Sequence, residues 1–356
     1  MSLSLIWSDR SADHIPPSGH PERAERAQAM HEVVEGWRAR GGRVVEPAPA
    51  TRAQIERVHA PGYVDRLASA AGHPAVLDLD TFMSPGSWEA AILAAGAVIT
   101  AVDCVLAPGP RTGQDARCAD PAPTAAFAMV RPPGHHALRD RAMGFCLLNN
   151  VAIAVAHALA RGLTRVAVVD YDVHHGNGTQ WAFYDDPRVL VISAHQYPFY
   201  PQTGSAGECG VHAGEGFTVN LPLSAGATDA DYLLLMDQVV EPILDAFAPE
   251  LLVLDVGFDA HDLDPLASMR LSTAGFAAIA SRLRAAAIRS CGGRVVLATE
   301  GGYHLGALRD SLLATIDAFT DRPAAVPDLP SEPPTRAGTE ALQLVRAAQK
   351  RYWSTL

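Results

Sequence analysis

Short apolar runs that are rich in β-branched residues alternate along the chain with longer segments of helical pattern. This alternation predicts an α/β fold, in which helices cover both faces of a central, mainly parallel β-sheet. The clearest strand-like runs lie at 125–130, 165–169, 188–193, 251–256 and 294–298. Helical patterns lie near 21–40, 88–106, 149–161, 229–247, 273–289 and 306–319.

The last part of the chain has a different character. A proline-rich segment at 321–338 precedes a final helical pattern near 339–351. The segment is expected to cross the surface, and the helix either caps the domain or contacts a neighbouring subunit. Because polar motifs from most of the chain are expected to meet at one site, we predict a single domain over 1–356.

Charge and cysteine content exclude several classes of protein. Acidic residues outnumber basic residues, 39 against 28, and the formal net charge is −11. This charge disfavours nucleic acid as a direct partner, since binding of phosphates needs clustered Lys and Arg. Five cysteines without a CxxC pair predict free thiols in a reducing compartment.

The N-terminus lacks the basic and apolar regions of a secretory signal, which predicts a cytoplasmic protein. One apolar stretch, 90–107, is about as long as a membrane span. Its alanine-rich composition, interrupted by Gly96 and Asp103, favours a buried core helix. We therefore expect no membrane association.

Polar motifs follow four of the predicted strands at the point where each strand ends. They are RPPGHH at 131–136, DYDVHHGNG at 170–178, GFD at 257–259 and EGGY at 300–303. The carboxyl ends of parallel strands share one edge of a sheet, and ligands bind in the crevice there. We therefore expect these motifs to converge on one site.

Two carboxylates and an imidazole in these motifs suit a metal ion. Asp172 and His174 are two positions apart after one strand, and Asp259 follows another. Three oxygen and nitrogen ligands without cysteine are typical of a catalytic zinc site with an open position, although Fe(II), Co(II) or Mn(II) also fits such a set. The alternative is that the acids only cap turns.

Two adjacent histidines lie near the same edge. His135 and His136 follow a Pro-Pro-Gly sequence, and imidazole can act as a base near neutral pH. Asp170 is the natural partner that would orient one ring. Tyr303, in a glycine turn, could donate a hydrogen bond to an oxyanion. The alternatives are incidental histidines and a buried core tyrosine.

Aromatic residues could form the walls of a narrow channel. Phe145 lies between Gly144 and Cys146, and further aromatic residues lie within 197–200. Simple core packing is the competing explanation for these side chains.

Taken in order, these motifs identify a family. The chain resembles the histone deacetylase and acetylpolyamine amidohydrolase superfamily, and most of all its class II-like bacterial histone deacetylase-like amidohydrolases, from about His20 to Leu313. The resemblance rests on RPPGHH, GFC with the later pair Asn149–Asn150, DYDVHHGNGT, GFDAHDLDP and EGGY. It implies the arginase-deacetylase fold and zinc-dependent hydrolysis of acyl amides, with one Zn²⁺ per chain.

The resemblance also implies roles for individual residues. By it, Asp172, His174 and Asp259 are the zinc ligands, and His136 is the general base and then the acid. His135, paired with Asp170, supplies electrostatic support, and Tyr303 stabilises the transition state. The remaining implied residues are the channel walls Phe145 and Tyr200, the Gly144 carbonyl that accepts the substrate N–H, and Arg26 beside an internal acetate channel.

Structural K⁺ is implied as well. One site matches Asp170, Asp172, His174, Ser193 and Ala194, and a second matches Phe183, Asp186, Val189 and Phe217. Dimers or tetramers are common among bacterial relatives, and nothing in the sequence selects between them.

Three positions depart from common family patterns. Asn177 stands behind His136 where class I members carry an acid, and His304 follows the tyrosine where Asn is common. Leu266 occupies the position at which polyamine-specific eukaryotic relatives carry a glutamate. The missing carboxylate favours acyl-lysine-like substrates over acetylpolyamines, which remain the alternative.

Two other functions compete with a mononuclear deacetylase. A binuclear-metal ureohydrolase of the same fold would need a second ion held by further Asp and His ligands. A non-hydrolytic protein that captures acylated amines or acetate would not need the full set of base, metal ligands and phenol.

Overall fold

The computed structural model describes residues 2–106, 118, 123–320 and 332–356. Eight strands form one sheet in the order β2-β1-β5-β10-β9-β6-β7-β8, and every pairing is parallel. The strands of this sheet are β1 (Leu3–Ile6), β2 (Arg43–Val45), β5 (Ala125–Ala128), β6 (Val166–Asp170), β7 (Val189–Gln196), β8 (Thr218–Leu223), β9 (Leu251–Val256) and β10 (Val295–Thr299). A separate antiparallel pair consists of β3 (Ala75–Val76) and β4 (Phe82–Met83).

Helices cover both faces of the sheet. They are α1 (Glu25–Ala39), α2 (Arg52–Ile55), α3 (Pro61–Ser69), α4 (Ser87–Leu106), α5 (Asn150–Ala160), α6 (Asn177–Ala182), α7 (Asp229–Leu235), α8 (Glu241–Phe247), α9 (Thr273–Cys291), α10 (Leu305–Ala318) and α11 (Arg336–Gln349). A π-helical turn, Met236–Val240, joins α7 to α8.

Two hydrophobic cores lie on opposite faces of the sheet. Successive side chains of a strand point to opposite faces, and in β9 Leu252 and Leu254 join one core while Leu251 and Val253 join the other. The first core contains residues of α1 and α7–α11, and the second contains residues of α2–α5. The predicted α/β fold, with a parallel sheet covered on both faces, is confirmed.

All five predicted strands are present, within a few residues of their expected ends. The sequence patterns missed β1, β2 and β8. Strands β2 and β8 form the two edges of the sheet, where a strand need not be continuously apolar. In β8, Asn220 and Pro222 interrupt the apolar run, and proline is tolerated on an edge strand.

Each predicted helix is also present, with shifted ends. The helix expected from 21 begins at Glu25, and the pattern at 229–247 divides into α7, the π-helical turn and α8. Among the described residues only α4 is long and apolar enough to cross a membrane, and 78% of its most apolar window is buried inside the protein. It is the core helix that the sequence predicted.

The expectation that all five cysteines are free is wrong for two of them. Cys104, on α4, forms a disulfide with Cys118, whereas Cys146, Cys209 and Cys291 are free and buried. Spacing along the chain did not reveal the pair, because the two residues are 14 positions apart and form no recognisable motif.

The predicted final helix caps the sheet of its own chain. It runs from Arg336 to Gln349, earlier than the expected 339–351. It packs against α7 and β8 and buries Ala341 and Val345. Most of the proline-rich segment predicted at 321–338 lies outside the described residues.

Candidate active site

Four neighbouring strands, β5, β10, β9 and β6, bring the predicted motifs to one edge of the sheet. The register pairs Asp170 with Asp255 across β6 and β9, and Asp255 with Ala298 across β9 and β10. The carboxyl ends of these strands are therefore level. The segments 131–136, 170–178, 257–259 and 300–303 follow them directly, and their polar side chains converge as expected.

The three predicted metal ligands lie together. His174 Nδ1 is 3.1 Å from Asp172 Oδ1 and 3.1 Å from Asp259 Oδ2. Both carboxylates are fully buried, while the His174 side chain is 12% exposed. Three ligand-type atoms from these residues lie within 4.8 Å of one another, a spacing at which they could bind one ion.

Local backbone contacts aim these ligands at the site. The amide of Asp172 donates to the side chain of Asp170, and the amide of His174 donates to Asp172 Oδ1. These two hydrogen bonds turn the backbone so that Asp172 and His174 lie on the same side of the chain. Gly301 completes the site from β10: its N–H donates to Asp172 Oδ2 at 2.8 Å, and a Cβ there would lie 2.1 Å from Asp259 Oδ2.

The charges in this trio favour a bound cation. Burial and the nearby charge of Asp172 raise the pKa of Asp259 to about 7. The two buried carboxylates therefore repel each other unless a positive charge lies between them. The N/O donor set and its burial suit a divalent ion such as zinc.

The two predicted histidines have different partners. His135 Nδ1 lies 3.0 Å from Asp170 Oδ2, and His136 Nδ1 lies 2.7 Å from Asn177 Oδ1. Burial opposes a charge on His135, but Asp172 and Asp170 outweigh it and raise its pKa to about 10. Burial, together with His135 and His174, holds the pKa of His136 well below its ordinary value. The pKa values of the two rings are therefore shifted in opposite directions, and the lowered pKa favours the neutral form of His136, which can accept a proton.

Tyr303 lies over a buried arginine at the same edge. Its ring centroid is 5.0 Å from the Arg26 guanidinium carbon and 5.8 Å from the Phe145 ring. The side chain is 6% exposed. Gly302, immediately before it, has φ +118°, a conformation that favours glycine.

Arg26, predicted to lie beside an internal channel, is fully buried beneath Tyr303. Each of its nitrogens already donates a hydrogen bond: Nε to the Gly302 carbonyl, and the two terminal nitrogens to Glu22 and to the Glu300 carbonyl. Glu22 also pairs with buried Arg131. The sequence did not indicate this ion network, because its members come from separate segments.

Aromatic side chains surround the mouth of the site, as the sequence predicted. Phe145 contacts Tyr303 on one side, and the Tyr200 ring lies 5.2 Å from that of His136 on the other. Phe199 stacks on His174 at 5.3 Å, so two aromatic residues of 197–200 reach the site.

Gly144 packs tightly against the His136 ring. A Cβ at this position would lie 2.3 Å from that ring, which explains the glycine. The Gly144 carbonyl, expected to bind a substrate N–H, accepts a hydrogen bond from the Cys146 thiol at 3.2 Å.

Leu266 lies beside Tyr303, and its contact with a substrate remains a prediction. Both line a cavity of about 600 Å³, whose other walls come from the segment 15–25 and Pro265. Neither Asp262 nor Asp264 lines this cavity, whereas Glu25 does.

The residues of the first implied K⁺ site lie side by side on two strands. Asp170 on β6 pairs in register with Ser193 on β7, and Ala194 follows Ser193. The Ser193 hydroxyl lies 3.0 Å from His195 Nδ1. At the second implied site, hydrogen bonds join the backbones of Phe183, Asp186 and Val189, and Phe217 pairs with neighbouring Val191. Potassium binding remains a prediction at both.

Sequence patterns missed two buried carboxylates behind the histidines. Glu300 Oε2 accepts hydrogen bonds from the amides of Gly134 and His135, which fixes the histidine loop. Asp255, inside a strand, accepts no hydrogen bond at either side-chain oxygen from the residues that the structure describes. Burial and the charges of Glu300 and Asp170 raise the pKa of Asp255 well above its ordinary value.

A second group of ligand-type atoms, from His135, Asp170 and Asp255, also lies within 4.8 Å. Here His135 Nδ1 donates a hydrogen bond to Asp170 Oδ2 at 3.0 Å. The first group is the ligand set that the sequence predicted, and the number of ions per chain distinguishes one occupied group from two.

Comparisons with known proteins agree with this geometry. Residues 20–319 match the family model for the histone deacetylase domain. A probable deacetylase from Archaeoglobus fulgidus is 39% identical over 90% of this chain and 86% of its own length. A histone deacetylase-like amidohydrolase from Pseudomonas aeruginosa is 41% identical over 88% and 80%.

One curated relative and one solved structure add to these. The human polyamine deacetylase HDAC10 is 36% identical over 99% of this chain, which covers 51% of that protein. The crystal structure of the HDA15 HD domain superposes with a TM-score of 0.88 at 33% identity, covering 100% of this chain and 98% of the other. The sheet and helices are therefore those of the arginase-deacetylase fold.

Proposed function

The chain belongs to the histone deacetylase family, and from that premise we propose that it is a zinc-dependent amidohydrolase. In this proposal it cleaves acyl amides such as N-ε-acetyl-lysine to acetate and a free amine. The observation that carries the proposal is the placement of a neutral histidine, His136, between the trio of Asp172, His174 and Asp259 and the aromatic walls.

Asp172, His174 and Asp259 would hold the ion. When bound, zinc supplies a Lewis acid that polarises an amide carbonyl and lowers the pKa of water. A set of three protein ligands leaves a position open for substrate or water, as catalytic zinc sites require.

His136 moves the proton. Its Nδ1–H donates to Asn177 Oδ1, which leaves the Nε2 lone pair free to accept a proton from the attacking water. The same Nε2–H can then protonate the departing amine nitrogen. Because the ring is neutral before the reaction, it can serve first as the base and then as the acid.

Two other groups stabilise charge. The Tyr303 hydroxyl can donate to the oxygen that becomes negative during attack. The His135 ring, whose pKa the neighbouring carboxylates raise, lies 4.0 Å from the His136 ring and would add positive charge near the same centre. Phe145 and Tyr200 would hold an extended acyl-amine chain between them and exclude water.

An acyl-lysine-like chain is the substrate class that the channel supports best. Leu266 provides an apolar contact beside Tyr303, where a carboxylate would favour a second ammonium group. Acetylpolyamines are the second candidate, supported by the similarity to the polyamine deacetylase HDAC10.

A substrate panel tests the proposal. Zinc-loaded protein is assayed on acetyl-lysine peptide, trifluoroacetyl-lysine, acetylputrescine and acetylspermidine, with a hydroxamate chelator as the inhibitor control. We expect kcat/KM to be highest for the lysine derivatives and activity to disappear with the hydroxamate. Turnover of none of these amides would contradict a deacetylase, and a preference for the polyamines would favour the second candidate.

A further inference from the structure

The carboxylate of Asp264 binds backbone amides of two segments beside the proposed catalytic centre, one at Tyr303 and one at Leu266. Asp264 follows β9 and is 7% exposed. Its Oδ2 accepts hydrogen bonds from the N–H groups of Tyr303 at 2.6 Å and His304 at 3.1 Å. Its Oδ1 accepts from the N–H of Leu266 at 3.1 Å.

We propose that Asp264 is a positioning residue, which holds the Tyr303 hydroxyl at the reacting carbonyl and fixes Leu266 beside it. This inference rests on the proposed deacetylase function. Asp264 touches no substrate atom in this account and acts only through the two residues that it holds.

The turn that carries Tyr303 needs such an anchor. Gly301 and Gly302 restrict the backbone little. Arg26 binds the carbonyls of Glu300 and Gly302, and thus fixes the first half of the turn. The amide of Tyr303 itself is bound by Asp264.

The second half of the turn is fixed by one helix end and one carboxylate. The His304 side chain caps α10 by accepting a hydrogen bond from the Ala307 amide. His304 also donates its own N–H to Asp264. Tyr303 therefore lies between a segment held by Arg26 and a fixed helix, and Asp264 binds the Tyr303 amide between them.

A carboxylate is the group that these three donors require. Three N–H groups converge on Asp264, and a carboxylate can only accept hydrogen bonds. Asparagine has nearly the same shape, but its NH₂ group would face one of the N–H groups and leave it unpaired. Asp264→Asn therefore disturbs the contact without changing the size of the side chain.

Leu266 shares the anchor with Tyr303 and lines the same cavity. A change at Asp264 should therefore alter the choice between substrates as well as the rate. A change at a residue that only stabilised the fold would lower the amount of active protein. The rates on all substrates would then fall by the same factor.

A double-mutant cycle tests the inference. Asp264→Asn, Tyr303→Phe and the double variant are compared with wild type, all with measured zinc content. We expect Asp264→Asn to lower kcat roughly 10- to 100-fold, the effect of misplacing a catalytic group, with zinc retained. If Asp264 acts through Tyr303, the double variant should match Tyr303→Phe within about 3-fold.

A matched control lies two residues away. Asp262 is 52% exposed and pairs with His261, and Asp262→Asn removes the same charge from the same loop. We expect its kcat to stay within about 2-fold of wild type. Equal losses in Asp262→Asn and Asp264→Asn, or independent losses in the double variant, would overturn the positioning role.

Two measurements separate this inference from its premise and from misfolding. A wild-type protein that hydrolyses none of the panel amides would overturn the proposed function. If the wild-type protein is active but the losses in kcat of the two single variants add up in the double variant, only the role of Asp264 is overturned. Hydrogen exchange of the Tyr303 and His304 amides in wild type needs no variant: we expect slow exchange, and exchange at the rate of a free loop would contradict the contact.

Discussion

His135 and His136 are adjacent in the chain, yet their environments shift their pKa values in opposite directions. A carboxylate, Asp170, accepts from His135, whereas an amide oxygen, that of Asn177, accepts from His136. A carboxylate favours the imidazolium, and a neutral amide does so much less. The residue behind each ring therefore contributes, with burial and the neighbouring charges, to which of the two can act as a base.

Asn177→Asp tests this control of the base. A carboxylate 2.7 Å from Nδ1 should stabilise the His136 imidazolium and raise its pKa. Because the base must be unprotonated, the acid limb of kcat/KM should move to higher pH by about one unit or more. Asn177→Ala, which adds no charge, should not move the limb upward. An unmoved limb in Asn177→Asp would contradict the role of His136.

Tyr303→Phe tests the oxyanion donor. Loss of the hydroxyl should lower kcat roughly 100-fold or more, the scale of one such donor. Tyr303 does not belong to the group of proposed metal ligands, so elemental analysis should find zinc retained. Unchanged turnover would remove Tyr303 from the mechanism.

Spacing along the sequence revealed residues that act through side-chain chemistry, and missed those that act through distant backbone groups. The motifs around Asp172 and Asp259 stood out because acids and histidines cluster after apolar strands. Asp264, by contrast, binds amides about 40 positions away. Asp255 lies inside a strand, where the sequence offers no sign of its neighbours.

At the scale of elements, continuous burial made the central strands predictable, and partial exposure hid the edge strands. Strands β6 and β9 are buried at every residue and are apolar except for Asp170 and Asp255. Strand β2 has three residues, of which only Val45 is buried, and such a pattern cannot be told from a loop. The start of α11 is set by a contact with a distant residue, which a sequence pattern does not show.

That contact is the side chain of Asp231. It accepts hydrogen bonds from Thr228, at the start of α7, and from Thr335 and Gly338, at the start of α11. Asp231→Ala should lower the free energy of unfolding by about 3 kcal/mol, because it leaves several buried donors unpaired. Asp237→Ala, at an exposed pair with Arg282, is the control and should cost less than about 1 kcal/mol. Equal effects on chemical denaturation would contradict the anchoring of α11.

The disulfide on α4 gives a direct thiol count. With two of five cysteines paired, the chain unfolded in denaturant without reductant should show three reactive thiols. After reduction the count should rise to five. Five thiols before reduction would show that Cys104 and Cys118 are not joined in the protein as isolated.

At the scale of the whole molecule, the candidate site exists only when the complete sheet has formed. Its residues follow four adjacent strands, from β5 at Ala125 to β10 at Thr299. No single segment carries more than part of the ligand set, and Arg26 adds a contact from α1. Binding of an ion by this ligand set therefore indicates that the protein as a whole has folded.

The number of zinc ions per chain tests this account most directly. Purified protein loaded with zinc and freed of excess is measured by elemental analysis, with Asp259→Ala beside it. We predict one zinc per wild-type chain, and loss of both zinc and activity in Asp259→Ala. Two ions per chain, or one ion retained at full occupancy in Asp259→Ala, would contradict a mononuclear centre held by Asp172, His174 and Asp259.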